Sequence, residues 1–421
     1  MINKIEIARE QRIAFQAALV ARPAGLLVFS ILIAHRWSFS EIASFESLSV
    51  FQYLVFFAWL PSWGAIMLRL AGREEYKLQK PFLFSNLVLG GLIFCLVFGV
   101  AGLFRQNLMP GLPGHSAWWF KIFILMALYY LQQAGIYLAY LRGRSVRQWI
   151  LAALVFSSWI YCGIFTYDLS SAVFAQIFFS LGIWLLQVHD FVFDKLRWYA
   201  PFWKEVLWYS LYTLAGGAGI LLAAYYVQDL YGPGREFNWF RYGTREIPVL
   251  PALLAAFGYS YLKTGWGGPG IEFLSGISRQ IKWLILPLAL FIVFARPVFA
   301  FVFGPRFGVA GDLMSIYLLI YIPRMIYSQV VLQAKDEAPW LFWLGLAELT
   351  LMILAALLLV PLLGIESLVW ILVGGTVFEK IIQMAVLKYR FAVSPSEYLP
   401  LPGFYIWAAT LTAAYFVSHW I

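Results

Sequence analysis

Apolar runs long enough to cross a hydrocarbon core, about 20 residues each, recur along nearly the whole chain. They fall near 13–35, 45–70, 81–104, 118–141, 149–167 and 171–188, and again near 206–227, 246–264, 284–303, 312–334, 340–363 and 365–388. A last run, 403–420, is long enough to form a thirteenth span. A polar stretch with Asp190, Asp194, Lys195, Arg197, Lys204 and Glu205 separates the sixth run from the seventh. The pattern predicts an all-α polytopic membrane protein: two six-helix bundles, twelve spans plus a thirteenth. An even number of spans per half gives both halves the same orientation, a parallel pseudo-twofold arrangement about an axis along the membrane normal. The predicted parts are an N-terminal bundle over 1–188, a cytoplasmic linker over 189–205, a C-terminal bundle over 206–391, and a cytoplasmic connection with an extra helix over 392–421.

Composition sharpens this picture. Of the 421 residues, 62% are hydrophobic and 12% charged, against about 25% charged in a soluble domain. That excludes a soluble enzyme, a nucleic-acid binder and a secreted disulfide scaffold. The net charge of +9 is then first a topology signal. With the N-terminus cytoplasmic, inside segments carry 19 Lys or Arg and outside segments six, the bias expected of a multi-pass protein. Cys95 and Cys162 both lie inside apolar runs, and the four histidines are scattered, so neither a disulfide framework nor a metal site is expected. The chain shows no GxSxG, HExxH, Walker or CxxC pattern. The segment after the eighth run, Gly265–Gly270, lacks the Lys and hydroxyl of a phosphate loop, and Ile271–Lys282 is expected to lie on the membrane surface. The expectation is a transporter, not an enzyme, with no cofactor.

The remaining five basic residues, Arg22, Lys121, Arg296, Arg324 and Lys380, fall within apolar runs. An ionisable group at bilayer depth is costly and faces a cavity or a partner. Arg22 and Arg324 lie near the middles of the first and tenth runs, about 15 Å from either end, too deep to snorkel. Arg69 and Arg245 lie nearer opposite ends of the second and eighth runs. If these share a cavity its field is positive and favours an anion, and the guanidinium fork suits phosphate. The alternative for Arg22 and Arg324 is structural pairing with Glu379 or Glu348, the deep carboxylates. Pro23, beside Arg22, and the glycines Gly216 and Gly217 of the seventh run are candidate hinges.

Two stretches carry a resemblance. The first run feeds through HRWSFSEIASFESLSV directly into the second, and RPVFAFVFGPRFGVAGDLMSIYLLIYIPRMIYSQVVLQAK is followed by the paired helices of LLLVPLLGIESLVWILVGGTVFEKIIQMAVLKYRF. Over residues 10–391 the chain resembles the multidrug/oligosaccharidyl-lipid/polysaccharide (MOP) exporter superfamily, in its polysaccharide (Wzx-type) flippase branch. The resemblance implies a flippase of a bacterial inner membrane. It would move a polyprenyl-pyrophosphate-linked oligosaccharide outward by alternating access through a cationic central cavity, with other polysaccharide-assembly membrane proteins as possible partners. Relatives that flip the peptidoglycan lipid precursor carry arginines on the first, second and eighth helices, places comparable to Arg22, Arg69 and Arg245. The drug-exporting branch tends to carry a membrane-embedded carboxylate, in some members on the first helix, and no carboxylate occurs between Ile13 and Ala34. In the alternative reading, a cation-coupled multidrug exporter of small organic cations, Glu379 or Glu348 would be the ion-coupling residue.

Overall fold

The computed structural model describes residues 2–56, 59–71, 80–103, 116–190, 194–196, 198–247, 250, 254, 271–335 and 338–420. Among them the regular structure is helical, with no strand. The helices are α1 (Ile2–Arg36), α2 (Phe39–Phe56), α3 (Leu60–Ala71), α4 (Lys80–Leu103), α5 (Ser116–Leu141), α6 (Ser145–Phe165), α7 (Leu169–Gln187), α8 (Ala200–Tyr231) and α9 (Arg235–Gly243). They continue as α10 (Ile271–Val293), α11 (Ala295–Val302), α12 (Gly308–Tyr317), α13 (Tyr321–Arg324), α14 (Ser328–Ala334), α15 (Ala338–Leu363), α16 (Ile365–Phe391), α17 (Pro395–Tyr398) and α18 (Leu401–Ser418).

Among the described residues, nine stretches are long and apolar enough to cross a membrane, and α8 makes a tenth if its two bent parts are one span. The predicted second span is two helices, α2 and α3. The predicted eighth, 246–264, lies mostly outside the described residues. Ile271–Lys282, expected as a separate surface helix, is instead the first half of α10, which continues through Pro287 to Val293. Most of the polar stretch between the seventh and eighth runs is helical: α8 continues to Tyr231, and α9 begins three residues after Gly232, whose φ is +73°. Lys204 and Glu205, placed in the linker, lie in the opening turns of α8.

The chain divides into two compact units, Met1–Ser210 and Leu211–Ile421. In the first, α1 lies along α6, and α5 packs against α7. Small residues set the α1–α6 approach: a Cβ on Gly25 would stand 2.8 Å from Trp159, and one on Gly163 would stand 2.6 Å from Leu32. Such close backbone approach is how membrane helices gain packing where lipid removes the hydrophobic drive. The end of α6 is closed by Arg36, whose guanidinium donates to the carbonyls of Gly163, at 2.8 Å, and Ile164. That engages an arginine with the orphan carbonyls of a helix C-terminus.

In the second unit α15 and α16 form a hairpin turned at Gly364, whose φ of +77° is a left-handed conformation that suits glycine. The stretch from Pro305 to Leu332 reads as one span, yet it is built of α12, a turn of 3-10 helix, α13 and α14. Pro323 removes an N–H and crowds the preceding turn. The amides beyond it bond three residues back, Met325 to Ile322 and Ile326 to Pro323. Backbone irregularity at this depth is tolerated only inside protein, and 78% of this span's apolar window is buried, against 17% for Pro339–Leu363.

Candidate functional site

Arg22 lies on α1 in the first unit. Its guanidinium carbon is 3.6 Å from the ring centroid of Tyr129 on α5. Tyr129 in turn lies 6.4 Å from Trp159, ring to ring. The Nε and Nη2 of Arg22 are buried with no hydrogen-bond acceptor. A desolvated cation–π contact contributes about 2 kcal/mol, whereas an arginine at the bilayer centre costs at least about 2.5 kcal/mol and more by some measures. The aromatic seat therefore does not by itself offset burial of the charge, and it leaves hydrogen-bond donors open. Neither Glu379 nor Glu348 pairs with Arg22: both belong to the buried cluster of the second unit described below. Pro23 gives α1 no break, since the helix runs continuously from Ile2 to Arg36.

Arg324 ends α13 in the second unit and is held differently. Its Nη2 forms a short ion pair with Oε1 of Glu246, and Tyr317 donates its hydroxyl to the same oxygen at 3.4 Å. The expected structural partners for Arg324 were Glu379 and Glu348; the partner is Glu246, 78 residues earlier in the chain. Packing of α9 explains how that carboxylate arrives. Tyr242 lies 5.1 Å from Phe303 and 4.5 Å from Phe307, ring to ring, and Trp239 donates its indole N–H to the Arg306 carbonyl at 2.7 Å. At the end of α9, Gly243 lies so close to α12 that a Cβ there would be 2.8 Å from the Ala310 carbonyl oxygen. The chain leaves this contact without helix, placing Glu246 beside Tyr317 and Arg324.

Arg245 precedes Glu246 in that same non-helical segment and not on a spanning helix, its guanidinium carbon 5.0 Å from the Tyr242 ring. Arg69 is on α3, but its side chain lies outside the described residues. The helix that carries the candidate hinge glycines is bent. The parts of α8 before and after Gly216, Phe202–Ala215 and Gly217–Tyr231, are inclined by 42°.

Glu379 and Lys380 on α16 neutralise each other, with Nζ 3.2 Å from Oε2 and both residues buried. Gln383, one turn on, arbitrates between them. Its Nε2 donates to Glu379 at 2.7 Å, while its Oε1 accepts from Ser328 at 2.7 Å and from Lys380 at 3.2 Å. Lys380 also donates to Gln329 at 3.4 Å. This amide can take only one orientation, because its oxygen faces donors and its nitrogen a carboxylate. Glu348, buried on α15, packs its Cγ against Gly375 of α16, one turn before Glu379.

No family model matches the sequence, and no curated protein does. Solved structures share the fold. The lipid II flippase MurJ, in an inward closed conformation, aligns with a TM-score of 0.67 at 13% identity, over 96% of this chain and 92% of that one. A Vibrio cholerae MATE transporter, VcmN, aligns with a TM-score of 0.60 at 15% identity, over 93% and 98%. A MOP superfamily transporter from Pyrococcus furiosus, described as having a binding pocket of reversed polarity, aligns with a TM-score of 0.58 at 12% identity, over 97% and 96%. The chain is a multi-pass helical membrane protein with the fold of MOP superfamily transporters. A lipid II flippase and a multidrug resistance MATE family transporter both stand among its structural neighbours.

Proposed function

We propose that the chain is a flippase moving a polyprenyl-pyrophosphate-linked oligosaccharide outward across a bacterial inner membrane, with its N-terminus cytoplasmic. The observation that carries this reading is the Arg22 guanidinium, buried in a helix bundle with two nitrogens lacking acceptors. A buried, unneutralised arginine is a receptor for an anion, and pyrophosphate offers paired oxygens to its fork. In this reading Arg324 takes up the substrate by exchanging Glu246 for it, Arg69 and Arg245 supply further positive charge, and the bend at Gly216 and Gly217 absorbs the change between states. The predicted bundles, 1–188 and 206–391, joined in sequence by the linker 189–205, are in this reading the two moving bodies of alternating access.

The test is transport in proteoliposomes of a fluorescent polyprenyl-pyrophosphate-linked sugar, read as the label becoming accessible on the far side. Arg22→Gln loses transport, while Arg22→Lys keeps part of it through charge without the fork. Full transport by Arg22→Gln overturns the reading. A cation-coupled exporter of small organic cations is the second reading, and the buried carboxylate Glu348, one helix over from the Glu379–Lys380 pair, favours it. Loss of ethidium efflux in Glu348→Gln, with lipid transport absent from the wild type, would establish that reading instead.

A further inference from the structure

The last helix, α18, packs along α10 and also touches α12 and α13. Trp407, Leu411 and Ala414 fall on one face of it, the first two fully buried. Trp407 reaches the break in the Pro305–Leu332 span: its indole N–H donates to the Tyr321 carbonyl at 3.3 Å. In an unbroken helix that carbonyl would accept from Met325, but the Met325 N–H is 3.3 Å from the Ile322 carbonyl instead. A backbone acceptor that loses its helical donor in a membrane interior is costly, and Trp407 offers this one a donor from a different helix. Tyr321 in turn borders the candidate site, its ring 5.4 Å from the Arg324 guanidinium carbon.

We propose that Trp407 is a positioning residue and α18 a brace: the indole fixes the Tyr321 carbonyl, and with it the break that aims Arg324 at Glu246. The break is held from its other end by Tyr327, which donates to Gln280 at 2.6 Å, and by Ser328 on Gln383. The Tyr321 end has this indole as its cross-helix hydrogen bond. The inference rests on the flippase reading only in treating Arg324 as a substrate residue.

The test is amide hydrogen exchange of the full chain in nanodiscs, followed by mass spectrometry. In Trp407→Phe, which keeps an aromatic ring and loses the donor, the Arg324–Tyr327 amides should exchange about fivefold faster, the equivalent of one neutral hydrogen bond. Peptides of α15 and α16 should be unchanged. Leu411→Ala, which thins the same face and keeps the indole, should leave the Arg324–Tyr327 amides at the wild-type rate. Should Trp407→Phe not fold, benzothienylalanine at 407 keeps the bicyclic shape without the N–H and carries the same expectation. Unchanged exchange at Arg324–Tyr327, or an equal rise throughout the unit, overturns the brace. Faster local exchange with lipid transport at the wild-type rate upholds the brace and removes Arg324 from the proposed substrate site.

Discussion

The two units each carry an arginine at the depth of the membrane, and they treat it in opposite ways. In the first, Arg22 rests on an aromatic face with two nitrogens unsatisfied. In the second, Arg324 has a carboxylate, and that carboxylate also accepts from a tyrosine. Lys380 in the same unit is likewise matched, to Glu379 and two glutamine oxygens. The difference separates charge engaged in structure from charge that the proposed function assigns to a ligand. A paired cation serves a substrate only after its carboxylate leaves, whereas an open one binds directly.

That contrast breaks most visibly at Lys380. Removing one partner of a buried pair leaves an uncompensated charge, so Lys380→Met should destabilise the protein by about 3–5 kcal/mol, measured as a fall in the thermal unfolding midpoint. Lys380→Met with Glu379→Leu should recover most of the loss. At Arg22 the effect should appear in transport, not in stability. Loss of charge-assisted hydrogen bonds to an anion is worth about 1.5–3 kcal/mol, so Arg22→Gln should slow lipid transport at least about tenfold while unfolding at or above the wild-type midpoint. Glu246→Gln reverses that pattern. It should destabilise by about 1–3 kcal/mol, less than a fully buried pair because both side chains keep some solvent access, and transport should be spared or improved because Arg324 is released. The smallest effect expected is at Gly243→Ala, where a Cβ would press on the Ala310 carbonyl and on Leu313. Such overpacking costs about 1–3 kcal/mol, at a helix end where Tyr242, Gly243 and Thr244 are all buried. Its signature would be faster amide exchange in Phe237–Gly243.

The architecture was largely legible in the chain because hydropathy reports length, and length decides what crosses a bilayer. The paired helices that the resemblance implied around LLLVPLLGIESLVWILVGGTVFEKIIQMAVLKYRF are α15 and α16, turned at Gly364. The depth of Arg22 and Arg324 was likewise a matter of counting residues from the ends of apolar runs. What hydropathy averages away is interruption. The break around Pro323 leaves the local apolar average nearly unchanged, so the run looked like one continuous helix. Ile271–Lys282 misled for the related reason that a half-polar first half resembles a surface helix until the apolar residues beyond it continue the same axis. Glu246 was invisible as a partner because it lies among polar loop residues, and its position depends on α9 docking through Tyr242 and Gly243. A signal was present in the crowding of Phe237, Trp239, Phe240 and Tyr242 into a short polar stretch, which is more aromatic surface than a solvated loop needs.

The most direct measurement is binding of geranylgeranyl pyrophosphate to the protein in nanodiscs, with geranylgeraniol as the uncharged control. The wild type and Glu246→Gln should bind the pyrophosphate in preference to the alcohol, and Arg22→Gln should lose that preference. Equal pyrophosphate affinity in the wild type and Arg22→Gln would show that the open arginine receives no anion, and would contradict the account.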